Sequence, residues 1–149
     1  MTIDRVDADG RELVPCVGAI LLDDAGRILL IRRANPPAQG LWSVPGGRVE
    51  PGEEWTDAVE RELAEETGVV ATVDRYVGEV RRDAPEGGIY VIRDYVMRMP
   101  EDPADPVAGD DALDAAWFTP ADLREADTSP GLVEALESWG LLPTARSDA

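Results

Sequence analysis

The chain has 149 residues, 44% of them apolar, which suits one domain with a real hydrophobic core. Its 14 basic and 31 acidic residues give a net charge of −17. That balance lacks the basic stripe nucleic-acid binding needs, and an anionic ligand would have to be met by a metal ion or a local arginine cluster. With no histidine and only Cys16, the chain excludes disulfides, Cys/His zinc sites and histidine-based nucleophilic catalysis within one copy, so base work falls to carboxylates. No apolar run is long enough to span a membrane and no signal-peptide pattern opens the chain, so neither a membrane partner nor export is expected and the cytoplasm is the default location.

In chain order, residues 1–11 are polar and read as a flexible N-terminus, residues 12–142 as the folded domain, and residues 143–149 as a flexible tail. "ELVPCVGAILLDDAGRILLIRR" holds two apolar runs around "DDAG", a β-hairpin pattern with Gly26 at a positive φ. The runs are nearly all apolar, as for strands covered on both faces. "ANPPAQG" is a loop by its proline and glycine.

Thr56 to Thr67 read as a helix with Ala58, Val59 and Leu63 as its apolar stripe, Glu54 near the N-cap and Gly68 at the end. "VATVDRYVGEVRR" and "GIYVIRDYVMRM" read as strands joined by "DAPEGG", and "ALDAAWF" as a short strand. "TPADL" opens a short helix with Thr119 as N-cap and Pro120 in the first turn. "SPGLVEALESWG" reads as another, capped by Ser129, with Leu132, Leu136 and Trp139 on one face and Gly140 at its end. Strands, helix, strands and helices in that order suggest a mixed sheet with helices on its faces.

The chemistry concentrates on the first helix. Glu62, Glu65 and Glu66 stand at i, i+3 and i+4, so they share one face, here expected on the solvent side. Like charges at that spacing repel, and three carboxylates make a hard oxygen site suited to Mg²⁺ or Mn²⁺. A solvated acidic face is the plain alternative. The wider spacing argues against it: five residues separate Gly47 from Glu53, seven more lead to Arg61, and then come Glu62, Leu63, Ala64, Glu65, Glu66, Thr67, Gly68 and Val69.

That stretch, "GRVEPGEEWTDAVERELAEETGV", resembles the signature of the Nudix hydrolase family at every fixed position. "GLWSVPGG" before it and "DDALDAAWF" after it extend the likeness over most of residues 12–140. The resemblance implies an α/β/α sandwich around a mixed β-sheet and metal-assisted attack of water on the pyrophosphate of a nucleoside diphosphate linked to another moiety. It implies Glu62, Glu65 and Glu66 as metal ligands, one of them also serving as base, and a backbone carbonyl of Gly47 as a further ligand. Arg61 and Glu53 become the pair that locks the loop to the helix, against the alternative of an ordinary surface ion pair.

Among less constrained residues, Arg32 and Arg33 end a strand beside the loop, where either one meets phosphate or both face solvent. Trp42 is a candidate for stacking on a base but fits the core better. Asp110 and Asp111 lie where the family often places an acid, and a solvated loop acid is the alternative. The whole-chain look, with Pro85 downstream of the signature, is most similar to the ADP-ribose pyrophosphatase group. ADP-ribose or a nucleotide sugar is therefore the expected substrate, with a (d)NTP pyrophosphohydrolase that sanitises the nucleotide pool as the alternative. A non-catalytic nucleotide-sensing domain is the rival class. A homodimer is an allowed assembly.

Overall fold

The computed structural model describes residues 5–109 and 111–142. "DDAG" turns as its sequence suggests, with Gly26 at φ 79°, but the runs on either side do not remain a hairpin. Only the base of the turn pairs, through a Leu22–Ile28 bridge. Beyond it, β1 (Leu13–Ile20) and β2 (Ile28–Arg33) diverge into different sheets. β1 pairs antiparallel with β4 (Gly46–Arg48) and parallel with β6 (Ile89–Arg98), which pairs antiparallel with β5 (Thr72–Asp83). β2 lies between β3 (Trp42–Ser43) and β7 (Ala112–Phe118) in an antiparallel sheet. Both runs are apolar on two faces, and each face must be covered, which a two-stranded hairpin cannot do.

Alternation along β1 and β2 builds two cores. Val17, Ala19, Leu21 and Leu29 face α1 (Trp55–Thr67), where Val59 and Leu63 are buried. Ile20, Ile28 and Leu30 point to the opposite layer, against Leu123 of α2 (Pro120–Glu125) and Leu132 and Leu136 of α3 (Leu132–Ser138). Each fully buried leucine contributes roughly 1.5–3 kcal/mol by leaving water. The result is the α/β/α layering implied by the sequence. Trp42 packs edge-on to Phe118, with centroids 4.7 Å apart, and belongs to the second core.

Helix ends follow local chemistry, with one correction. α1 starts at Trp55, with Glu54 in the extended N-cap conformation but no side-chain cap bond, and ends at Gly68, φ 75°, whose N–H donates to the Ala64 carbonyl. The Thr119 hydroxyl accepts the Asp122 N–H and caps α2. Ser129 does not cap α3. Its carbonyl accepts the Leu132 N–H across a Pro130–Gly131 turn, and Gly131, at φ 85°, takes the N-cap position. Among the described residues no helix is long and apolar enough to cross a membrane.

Candidate active site

Pairing of β4 with β1 sets Gly46 and Gly47 opposite Gly18 and Val17, and this brings the loop against the polar side of α1. Two close contacts meet these glycines, and the one to backbone, at Gly46, requires glycine. A Cβ on Gly46 would fall 2.0 Å from the Val17 carbonyl oxygen, and one on Gly47 would fall 2.5 Å from the Glu62 carboxyl carbon. The Gly46 N–H donates to Glu66 Oε1 at 2.6 Å.

The three glutamates are therefore not equivalent. Glu65 is 48% exposed. Glu66 is only 5% exposed, so the expected solvent-side placement is corrected: it faces the loop and the cleft. Burial pushes the Glu66 carboxyl up to about 8, with the Gly46 N–H acting against that shift, Glu62 and Asp111 adding to it and Arg33 opposing it. Burial also raises Glu62, partly offset by Arg61.

Arg61 is held as a fork. Its Nε and Nη2 donate to Glu53 Oε2 and Oε1 at 2.8 and 3.0 Å, Nη1 donates to Glu62 Oε1 at 2.9 Å and Glu65 Oε2 at 3.1 Å, and Nη2 also reaches the Arg48 carbonyl at 3.1 Å. The Glu50 N–H donates to Glu53 Oε1 at 3.0 Å, which ties the loop into the same network. A guanidinium shared by three carboxylates and a carbonyl is a positioning device of a kind that an exposed ion pair is not. The Arg61 bonds hold Glu53 below the usual carboxylate range, against the cost of its burial.

Among the described residues no three acidic or cysteine side chains already form a closed metal-binding set, because Glu62 and Glu65 are turned to Arg61 while Glu66 faces Gly46. The donors nevertheless fit a hard divalent ion: all are oxygens, the space beside Gly47 admits close backbone approach, and the buried Glu66 carboxylate gains from a cation.

These groups stand at the edge of a cleft of about 950 Å³ between the four-stranded sheet, the loop after β2 and α3. Arg33 lines it, with Nε donating to the Pro37 carbonyl at 2.6 Å. Arg32 does not line it, and its Nε donates to the Gly40 carbonyl at 3.1 Å. Asp111 lines the cleft, with Oδ1 accepting from Asn35 Nδ2 at 3.0 Å, while Asp110 lies outside the described residues. Burial pushes the Cys16 thiol up to about 12, so it serves packing rather than nucleophilic attack. Pro85 sits in the β5–β6 turn, where the Gly87 N–H donates to the Ala84 carbonyl, and the turn accounts for it. Sequence reasoning missed Asp94, Arg82 and Trp139, which all line the cleft. For Asp94 a signal existed: it interrupts the apolar run of β6, "IYVIRDYVMR", with an acid.

A family model described as NUDIX domain matches residues 12–138. CTP pyrophosphohydrolase of Escherichia coli (strain K12) is 32% identical over 136 residues, which is 91% of this chain and 97% of that protein. ADP-ribose pyrophosphatase of Methanocaldococcus jannaschii is 38% identical over 101 residues, 66% of this chain and 57% of that protein. The crystal structure of a MutT NUDIX hydrolase from Burkholderia pseudomallei aligns with a TM-score of 0.73 at 31% identity, covering 85% of this chain and 97% of that one. A glycine loop closed on an acidic helix, on this sheet topology and with these likenesses along nearly its whole length, makes the chain a member of the Nudix hydrolase family.

Proposed function

We propose that the chain is a divalent-metal-dependent pyrophosphohydrolase acting on a nucleoside 5′-triphosphate, which water splits into the nucleoside monophosphate and pyrophosphate. The observation that carries the reading is the packing of Gly46 and Gly47 onto Glu66 and Glu62 at the mouth of a nucleotide-sized cleft. The Gly47 carbonyl, Glu62, Glu65 and Glu66 would hold Mg²⁺ or Mn²⁺, which when bound would neutralise phosphate oxygens and lower the pKa of bound water. Arg61 and Glu53 orient the glutamates, Arg33, which lines the cleft, meets the phosphate chain, and a carboxylate of α1 takes the proton of the attacking water. The triphosphate is favoured because the likeness to the CTP enzyme runs end to end. ADP-ribose is the second reading, supported by the likeness to the Methanocaldococcus enzyme over a shorter stretch.

Side-by-side hydrolysis of CTP, 8-oxo-dGTP and ADP-ribose tests both. CTP should lead ADP-ribose by at least about tenfold in kcat/KM, or ~1.4 kcal/mol of discrimination, and EDTA should abolish turnover. The reverse order would transfer the assignment to ADP-ribose. Hydrolysis of none of the three would defeat both.

Gly47→Ala tests the loop. The Glu62 carboxylate is the free end of a flexible side chain, so it can swing off the new methyl at little cost to stability, within about 1 kcal/mol. Its displacement should raise the Mn²⁺ concentration for half-maximal activity by roughly tenfold. A Mn²⁺ titration beside a thermal melt checks this, and an unchanged half-saturation point would remove Gly47 from the ion-binding group.

A further inference from the structure

One row of residues crosses the four-stranded sheet from the ion-binding edge into the cleft. In register it reads Gly46 on β4, Gly18 on β1, Asp94 on β6 and Gly78 on β5. Register partners share a face, so Asp94 is the one side chain in a strip otherwise bare. It is 7% exposed, and its Oδ1 has no hydrogen-bond partner. The carboxyl leans over β1: a Cβ on Gly18 would fall 2.0 Å from that oxygen. On the other side, the space over Gly78 is taken by the Trp139 indole, whose Nε1 would lie 2.5 Å from a Cβ there.

A buried carboxyl oxygen without a partner costs stability, and packing does not call for it. Burial pushes Asp94 up to about 7, with Arg82 opposing the shift. Arg82 donates to the Pro130 carbonyl and so ties β5 to the turn before α3 on the far wall of the cleft. Two strand spacings, ~10 Å, separate the Asp94 backbone from Gly46, and its carboxyl, leaning over Gly18, stands between them along the cleft. An indole beside the carboxyl suits a flat ring, and an unmet acceptor suits an N–H on that ring's edge.

We propose that Asp94 is a base-specificity residue, accepting a hydrogen bond from the exocyclic amino group of the substrate's nucleobase and so selecting cytosine or adenine over uracil or hypoxanthine. This rests on the cleft holding a nucleotide, as proposed above, and it applies equally to CTP and to the adenine end of ADP-ribose. The discrimination comes from electrostatics. Where cytosine and adenine present N–H donors, their oxo counterparts present a carbonyl oxygen, which faces the carboxylate oxygen without a proton between them.

The test compares matched pairs at pH 8, where Asp94 is mostly ionised. Affinities of CMP against UMP and AMP against IMP are measured by titration calorimetry, and kcat/KM for CTP against UTP by pyrophosphate release. The parent should favour the amino member by at least about tenfold in both readouts. Asp94→Asn, which offers both an acceptor and a donor, should bring the ratio to near one by improving the oxo member. Asp94→Ala should bring it to near one by weakening the amino member. Equal binding of CMP and UMP by the parent, or an undiminished ratio in both variants, would overturn the assignment. If no nucleotide is hydrolysed, the proposed function falls, and the monophosphate titrations still decide the role of Asp94.

Discussion

Glu66→Gln is expected to leave the fold intact and to lower turnover at least about 100-fold at saturating Mg²⁺. The amide oxygen can still accept the Gly46 N–H, so the loop stays on the helix. What is lost is an anionic ligand in a site where the cation has little solvent to replace it. The pH dependence separates this from a folding defect. The folded carboxyl titrates at about 8 against an ordinary 4.5, so between those values the native chain keeps a proton that the unfolded chain releases. Stability without metal therefore falls as pH rises through that window, and the neutral glutamine abolishes this contribution. In EDTA the variant should melt with the parent near pH 4.5 and above it at pH 8. Adding Mg²⁺ at pH 8 should raise the parent's midpoint more than the variant's. A variant that turns over substrate like the parent would remove Glu66 from the ion-binding group.

Arg61→Ala should reduce turnover by about 10–100-fold and also cost about 1–3 kcal/mol of stability at neutral pH. Both effects have one source. The guanidinium is 23% exposed and holds Glu53 and Glu62, whose side chains are 15% and 14% exposed, so its loss leaves two part-buried carboxylates without their cation. The sign with pH follows from Glu53, whose folded value Arg61 depresses. The stability supplied through that pair is complete above the ordinary carboxylate value and is lost as pH falls through the depressed one. The gap between variant and parent should thus narrow below about pH 4.5. Arg61→Lys keeps a charge but not the fork, so it should recover more stability than turnover. Melts and specific activity measured on the folded fraction distinguish the roles. A fall in midpoint with unchanged specific activity would make Arg61 purely structural.

Much of α1 is legible in the sequence because its determinants are local. The Ala58, Val59 and Leu63 stripe, the left-handed Gly68 and the shared face of Glu62, Glu65 and Glu66 follow from helical geometry within thirteen residues. Thr119 and Pro120 mark α2 in the same way. The Ser129 cap fails because Pro130 and Gly131 form a competing turn first, which the cap rule does not weigh.

By itself, then, the sequence determined the family, the layer architecture, the acidic helix and the arginine that serves it, since each is written in contiguous spacing. Tertiary structure decided which groups meet. β1 and β2 separate into two sheets because four apolar faces need covering, and no local pattern shows where the partners come from. Glu66 becomes buried only when β4 pairs with β1 and lowers Gly46 onto it. Arg33 lines the cleft and Arg32 does not, through alternation on a strand whose two faces look alike in sequence. Asp94 finds room for its carboxyl over Gly18, a residue far away in the chain that only strand register sets beside it. A carboxylate's chemistry depends on what surrounds it within a few ångströms, and for these residues the surroundings come from distant segments.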